Sequence, residues 1–316
     1  MMYEGKRMKG LALSRFYYNE IFLPECRKRI PSAEEHFAAG LVGEGSECFG
    51  FDDELSQDHS FGLRLCVWMT QEDYALYGAD LNALWRDLPQ TFMGYKRPAE
   101  NINEGKRNGV FLIEEFYKRL LGGVNVPENL RQWLAIEEPY LAAATNGEIF
   151  SDQPGRFTAV RNRLLEYFPD DVIRYYLAQH AAIAAQTGQY NFLRAHCHGE
   201  GLAANNMKAR FAYSVIAMVF LLNKTYRPFY KWAPRAMRSL PILGSSIHDK
   251  LLMPSNISNV RDEVRLIEDI CASLLAEMRN QGYTSGQSDF LMDHLPEIMG
   301  RIEAPEIRNM GIMMVF

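Results

Sequence analysis

The chain has 316 residues, 47% of them apolar and 23% charged, with a formal net charge of −5. That apolar share is enough to offset the entropy of ordering a chain, which excludes disorder over most of the length, and the length allows two ordinary domains or one large one. The acidic balance excludes a general electrostatic grip on nucleic acid, which needs a basic footprint, but leaves room for a local basic pocket for phosphates.

Residues 8 to 30 read as a helix, with Leu11, Leu13, Phe16, Tyr17, Ile21 and Leu23 in a rough stripe that Pro24 breaks. The glycine-rich run from Ala38 to Gly50 reads as a turn opening onto another element. Leu63 to Met69 is continuously apolar apart from Arg64 and suits a buried strand. A helical pattern covers 71–87. Gly109 to Ile113 is a second strand candidate, followed by a helix over 114–121 and the turn Gly122–Gly123. A helix over 127–143 and a short strand at 147–151 come next. From about residue 155 strand signals fade, and helical patterns cover 156–167, 169–187, 190–198, 204–225, 227–239 and 258–281.

The expected class is therefore α+β: a small mixed sheet with flanking helices over residues 1–150, then an all-α helical bundle over 151–316. Five cysteines, an odd number with no CxxC pair, read as reduced thiols. The basic N-terminal segment lacks the apolar run of a secretory signal. The longest apolar stretch, Tyr213 to Asn223, is about half of what a membrane crossing needs. A cytoplasmic protein without a membrane partner is expected. The apolar tail from Met310 to Phe316 invites docking on another subunit, so a homodimer is an expected partner.

The segment 43–67 reads GEGSECFGFDDELSQDHSFGLRLCV. It resembles the signature of the polymerase-beta-type nucleotidyltransferases: a Gly-Ser pair, about a dozen residues, then an acid, one spacer and a second acid on a strand. Gly45–Ser46 is followed by residues 47–57 and then Asp58. Glycine allows the backbone close to triphosphate oxygens, and the serine hydroxyl with neighbouring N–H groups can cradle them. Two carboxylates two residues apart on a strand share a face and can hold Mg²⁺ bridging the phosphates. Gly45, Ser46 and Glu47 are thus the expected triphosphate-binding turn, and positions 58 and 60 the expected metal site.

A narrower resemblance covers about residues 8 to 245. It rests on GEGSECFGFDDELSQDH, FLIEEFYKRLLG, EIFSDQPGRFTAVRNRLLEYFPDDV and RPFYKWAPRAMRSLP. These are similar to a bacterial family of uncharacterised nucleotidyltransferase-like proteins, described only as a domain of unknown function. The resemblance implies a minimal nucleotidyltransferase sheet followed by a helical domain, as in the antibiotic nucleotidyltransferases. It implies transfer of a nucleoside monophosphate, AMP from ATP with Mg²⁺, to a hydroxyl of an unidentified small-molecule or macromolecular acceptor.

The family pattern has Asp-His-Asp where this chain has Asp58-His59-Ser60. A neutral hydroxyl is a weak Mg²⁺ ligand beside a carboxylate. Three explanations stay open: another acid (Asp52, Asp53 or Glu47) supplies the ligand, the chain is an inactivated variant, or it is a pseudoenzyme that still binds nucleotide. His59 would point to the opposite strand face from Asp58 and Ser60, which favours a structural role. Glu114 and Glu115, after the run GVFLI, are the first candidates for the third carboxylate or general base, with Asp152 second. Their bland reading is a solvated helix start, where acids favour the dipole. In the aromatic and cationic run from Arg227 to Arg235, Lys231, Trp232 and Arg235 are candidates to stack on a base or reach phosphate. Arg174 and His180 also fit the Arg-x5-His spacing of helical-bundle ribonucleases, which gives a third functional reading. His196-Cys197-His198 reads as helix-end surface rather than a zinc site.

Overall fold

A computed structural model describes residues 8–53, 61–98, 106–252 and 259–312. Over these the chain is α+β and divides into two units, residues 1–128 with 135–166, and residues 129–134 with 167–316.

The first unit opens with α1 (Gly10–Tyr17), which runs through a π-helical turn at Tyr18–Phe22 into α2 (Leu23–Arg29). Then come β1 (Ala38–Leu41), β2 (Cys66–Met69) and α3 (Gln71–Asp87), whose N-cap Thr70 accepts from the Asp73 N–H at 3.2 Å. A two-stranded hairpin, β3 (Thr91–Phe92) and β4 (Tyr95–Lys96), precedes β5 (Gly109–Leu112) and α4 (Ile113–Leu120). The short α5 (Leu130–Ala135) falls mostly in the second unit, and α6 (Glu138–Thr145), β6 (Glu148–Asp152) and α7 (Arg156–Leu165) close the first.

Four strands make one mixed sheet in the order β5-β2-β1-β6, with β5 parallel to β2 and the other neighbours antiparallel. The registers define two sheet ends. Leu41, Cys66, Gly109 and Glu148 mark the near end, where β1 stops and the other three strands begin. Ala38, Met69, Leu112 and Asp152 mark the far end.

The run Ala38–Leu41, expected as a turn, is a central strand buried at all four positions. Its small residues are what the pairing requires: a Cβ on Gly40 would lie 2.3 Å from the Glu148 carbonyl oxygen across the β1–β6 pair. The first unit continues past residue 150 because Phe157 of α7 stacks on Trp68 of β2, with ring centroids 3.9 Å apart. The helix expected over 127–143 is two pieces, α5 and α6, with Pro139 in the first turn of the second.

Among its described residues the second unit is helical wherever it has regular structure. α8 (Asp170–Ala184) passes through a π-helical stretch, Ala185–Asn191, into α9 (Phe192–Cys197). After these come α10 (Gly201–Leu222), α11 (Ala233–Met237), α12 (Gly244–Leu252), α13 (Val260–Asn280), α14 (Leu295–Gly300) and α15 (Pro305–Arg308). The helix expected over 227–239 begins only at Ala233, where Pro234 occupies the first turn. Among the described residues no helix is long and apolar enough to cross a membrane.

Candidate functional site

At the near end the chain leaves β1 and turns at Gly43, whose φ of +137° is a left-handed backbone that favours glycine. The Asn146 side chain clamps this turn from both sides: its Oδ1 accepts from the Gly43 N–H at 3.0 Å and its Nδ2 donates to the Gly43 carbonyl at 2.7 Å. Glu44 and Gly45 follow, then a short 3₁₀ turn over Ser46–Phe49.

Glu47, expected at the triphosphate, is instead buried in an ion pair with Arg64, their side chains 7% and 4% exposed. Glycines enclose it. A Cβ on Gly45 would lie 2.3 Å from Glu47 Oε1, and one on Gly10 would lie 2.6 Å from the Glu47 Cβ. The structure therefore gives Gly45 a reason other than phosphate approach: it leaves room for the Glu47 carboxylate. Burial works against the Arg64 charge, yet Glu47, with Cys48 and Cys66, holds its pKa above the ordinary guanidinium value.

The other nearby acids are engaged as well. Asp52, 3% exposed, accepts from the Gly10 N–H at 2.8 Å at the start of α1, with Lys9 Nζ 3.4 Å from its Oδ1. Asp53 is exposed. Glu148 pairs with Arg15. Glu44 takes Arg119 Nη1 at 2.8 Å and has Arg107 Nε 3.9 Å away. Asp58, His59 and Ser60 lie outside the described residues. The chain re-enters at Phe61, and Arg64 carries it back to Glu47, so the segments flanking 54–60 meet at the near end. Among the described residues no three His, Cys, Asp or Glu side chains gather as a metal-binding group.

Glu114 and Glu115 are placed elsewhere. Both are exposed in the first turn of α4, beyond the far end of β5, and Glu114 pairs with Lys118 at 3.2 Å. They border a cavity of about 480 Å³ with Met69, Thr70, Glu72 and Arg156. Asp152 is also at the far end, where its Oδ2 accepts from the Thr158 N–H at 2.7 Å in the first turn of α7. None of the three joins the Gly45–Ser46 turn.

Sequence reasoning passed over the near-end cations Arg64, Lys106, Arg107 and Arg119. Their signal was positional: Lys106-Arg107 directly precedes β5, and Arg119 lies at the return end of the helix that Glu114 begins. The Cys66 thiol registers the gathering. Burial pushes it up to about 11, against the opposing influence of Arg64, Arg119 and Lys106.

In the second unit Lys231 and Arg235 are exposed, and Lys231 Nζ stands 4.4 Å from the half-buried Trp232 ring. Arg227, the first residue of that run, is buried over the Tyr213 ring at 4.3 Å. Burial, with Arg227 nearby, pushes His180 down to about 3, so its imidazole is neutral at ordinary pH. Arg174 pairs with Asp171 at 3.3 Å and Asp170 at 3.8 Å. Six residues apart on α8, Arg174 and His180 stand about 120° apart around the helix, so they share no face. His196, Cys197 and His198 are exposed at the end of α9.

No curated protein and no solved structure matches the chain. Residues 133–233, about a third of its length, match the family described as Domain of unknown function (DUF4037), a stretch that includes β6, α7, α8, α10 and the aromatic run from Arg227 as far as Ala233, leaving Arg235 outside it.

Proposed function

We propose that the first unit binds a nucleoside triphosphate at the near end of its sheet and holds it without transferring the nucleotide. On this reading it is a catalytically impaired relative of the polymerase-beta-type nucleotidyltransferases. The observation that carries it is that Glu44, Glu47, Asp52 and Glu148 are each held by a cation: Arg119, Arg64, Lys9 and Arg15 respectively. A carboxylate already paired with a guanidinium or ammonium has its charge satisfied and is a poor replacement for the acid that Ser60 lacks.

Glu114 and Glu115 do not make good the loss. They lie beyond the opposite end of strands four residues long, a distance of about 10 Å or more. Apart from the exposed Asp53, the nearby acids supply no second carboxylate for Mg²⁺, which would then depend on Asp58. Phosphate binding is better supported. A glycine turn clamped by Asn146 meets Arg107 and Arg119 at the same sheet end, and guanidinium groups match phosphate oxygens in geometry and charge.

Equilibrium binding of ATP in the presence of Mg²⁺, with pyrophosphate release followed in parallel, tests the reading on the wild type and on Ser60→Asp. The expected result is binding by both proteins, no release by the wild type, and release restored in the variant. Pyrophosphate release by the wild type would overturn the impaired reading in favour of AMP transfer to an acceptor. A wild type that binds no nucleotide would overturn both.

A further inference from the structure

The geometry points to Glu44 as an internal stand-in for a phosphate group, which Arg119, with Arg107 beside it, releases when a polyphosphate enters the turn. The inference rests on the reading of the near end as a triphosphate site and names the side chains that would hold the phosphates.

The argument begins with chain direction. β5 runs parallel to β2 and ends at the far end, so α4 starts there and travels back. Arg119, in its last turn, returns to the level of the glycine turn and donates to Glu44 at 2.8 Å. The guanidinium carbon of Arg119 also lies 5.9 Å from the Phe116 ring centroid, an aromatic neighbour on its own helix. Arg107, from the residues that lead into β5, places its Nε 3.9 Å from the same Glu44 oxygen. Two guanidinium groups from separate elements thus converge on one carboxylate, and that carboxylate belongs to the turn expected to cradle phosphate.

The same three side chains are partly open to solvent, Glu44 at 18%, Arg107 at 26% and Arg119 at 29%. This contrasts with the adjacent Arg64–Glu47 pair, which is closed. The closed pair fixes the turn, while the open one is reachable by a ligand. A carboxylate offers two oxygens and one negative charge. A terminal phosphate offers three oxygens and close to two charges, so it competes well for the same forks. Glu44 lies between Gly43 and Gly45, and the space beside Gly43 is open, with nothing within 4 Å of where a Cβ would stand.

Titration calorimetry with inorganic tripolyphosphate and, separately, with ATP and Mg²⁺ tests this on the full chain. Glu44→Gln is expected to tighten tripolyphosphate binding about tenfold, because the internal competitor loses its charge. Arg119→Ala is expected to weaken it by about tenfold or more, with Arg119→Lys in between. The decisive result is the double variant: in the Arg119→Ala background, Glu44→Gln should bring no gain. Unchanged or weaker binding by Glu44→Gln, with its melting curve intact, would overturn the stand-in role. Tripolyphosphate binding with the expected pattern but no nucleotide binding would keep this inference and remove the nucleotide reading. Nucleotide binding that ignores both substitutions would do the reverse. Failure of both wild type and Glu44→Gln to bind either probe would overturn the two together.

Discussion

Arg64 and Glu47 form an ion pair closed from solvent, 4% and 7% exposed, that ties the residues before β2 to the turn after β1. Arg64 also donates from Nη2 to the Arg107 carbonyl at 3.1 Å, so one guanidinium joins three segments of the near end. Removing one partner leaves the other charged and buried. Arg64→Met and Glu47→Leu are each expected to cost about 3–5 kcal/mol in urea unfolding, and the double change Arg64→Met with Glu47→Leu to cost less than the sum. Additive costs in that cycle would show that the two side chains do not depend on each other.

Gly40 and Gly201 make a matched comparison of glycine-to-alanine changes. A Cβ at Gly40 meets a backbone oxygen of the neighbouring strand, which cannot rotate away, whereas a Cβ at Gly201 has nothing within 4 Å. Gly40→Ala is expected to destabilise by about 1–3 kcal/mol. Gly201→Ala, at the first residue of α10, is expected to be neutral or to stabilise by up to about 1 kcal/mol. Equal melting temperatures for the two variants would contradict the close β1–β6 approach.

The five cysteines divide sharply by exposure. Cys197 is exposed, while Cys26, Cys48, Cys66 and Cys271 are buried and unpaired. Burial pushes Cys26 and Cys66 up to about 11. Because the thiolate is the reactive form, near pH 8 only about one in a thousand of these groups is ionised. Native protein at pH 8 should therefore take up one thiol label, at Cys197 by peptide mapping, and five after unfolding. Rapid native labelling of Cys66 would place it at the surface.

Glu297 anchors a loop of the second unit. It accepts from the Ser285 N–H and Oγ, each at 2.8 Å, and from Thr284 Oγ1 at 2.8 Å. The backbone and hydroxyl donors of Ser285, followed by Thr284, pull its carboxyl down to about 2 from an ordinary 4.5. A lowered folded-state value means that the stabilisation is fully present above the unfolded value and is lost as pH falls through the window from about 4.5 to 2. Urea midpoints for the wild type should therefore fall across that window more steeply than those of Glu297→Gln. Parallel curves would remove Glu297 from the acid response.

The position of Glu114 and Glu115 shows where sequence reading reached its limit. The strand GVFLI and the helix after it were legible from apolar run and spacing, and both are present as β5 and α4. Their direction relative to the glycine turn was not. Periodicity reports which side chains share a face of an element, whereas the sheet end an element begins from depends on parallel or antiparallel pairing with distant residues. The same helix therefore carries Glu114 away from the turn and brings Arg119 back to it.

The sequence by itself determined that the chain is α+β, with strand signals confined to the first half, and that a Gly-Ser turn precedes an apolar strand. Local side-chain pattern is sufficient for such statements because helix and strand periods differ. Only the tertiary structure decided that Ala38–Leu41 is the central strand, since its short side chains carry little signal and its identity comes from partners on both sides. Only the tertiary structure decided the partners of Glu44 and Glu47, because a charge shows its sign in the sequence while its pairing depends on where the folded chain brings the opposite one.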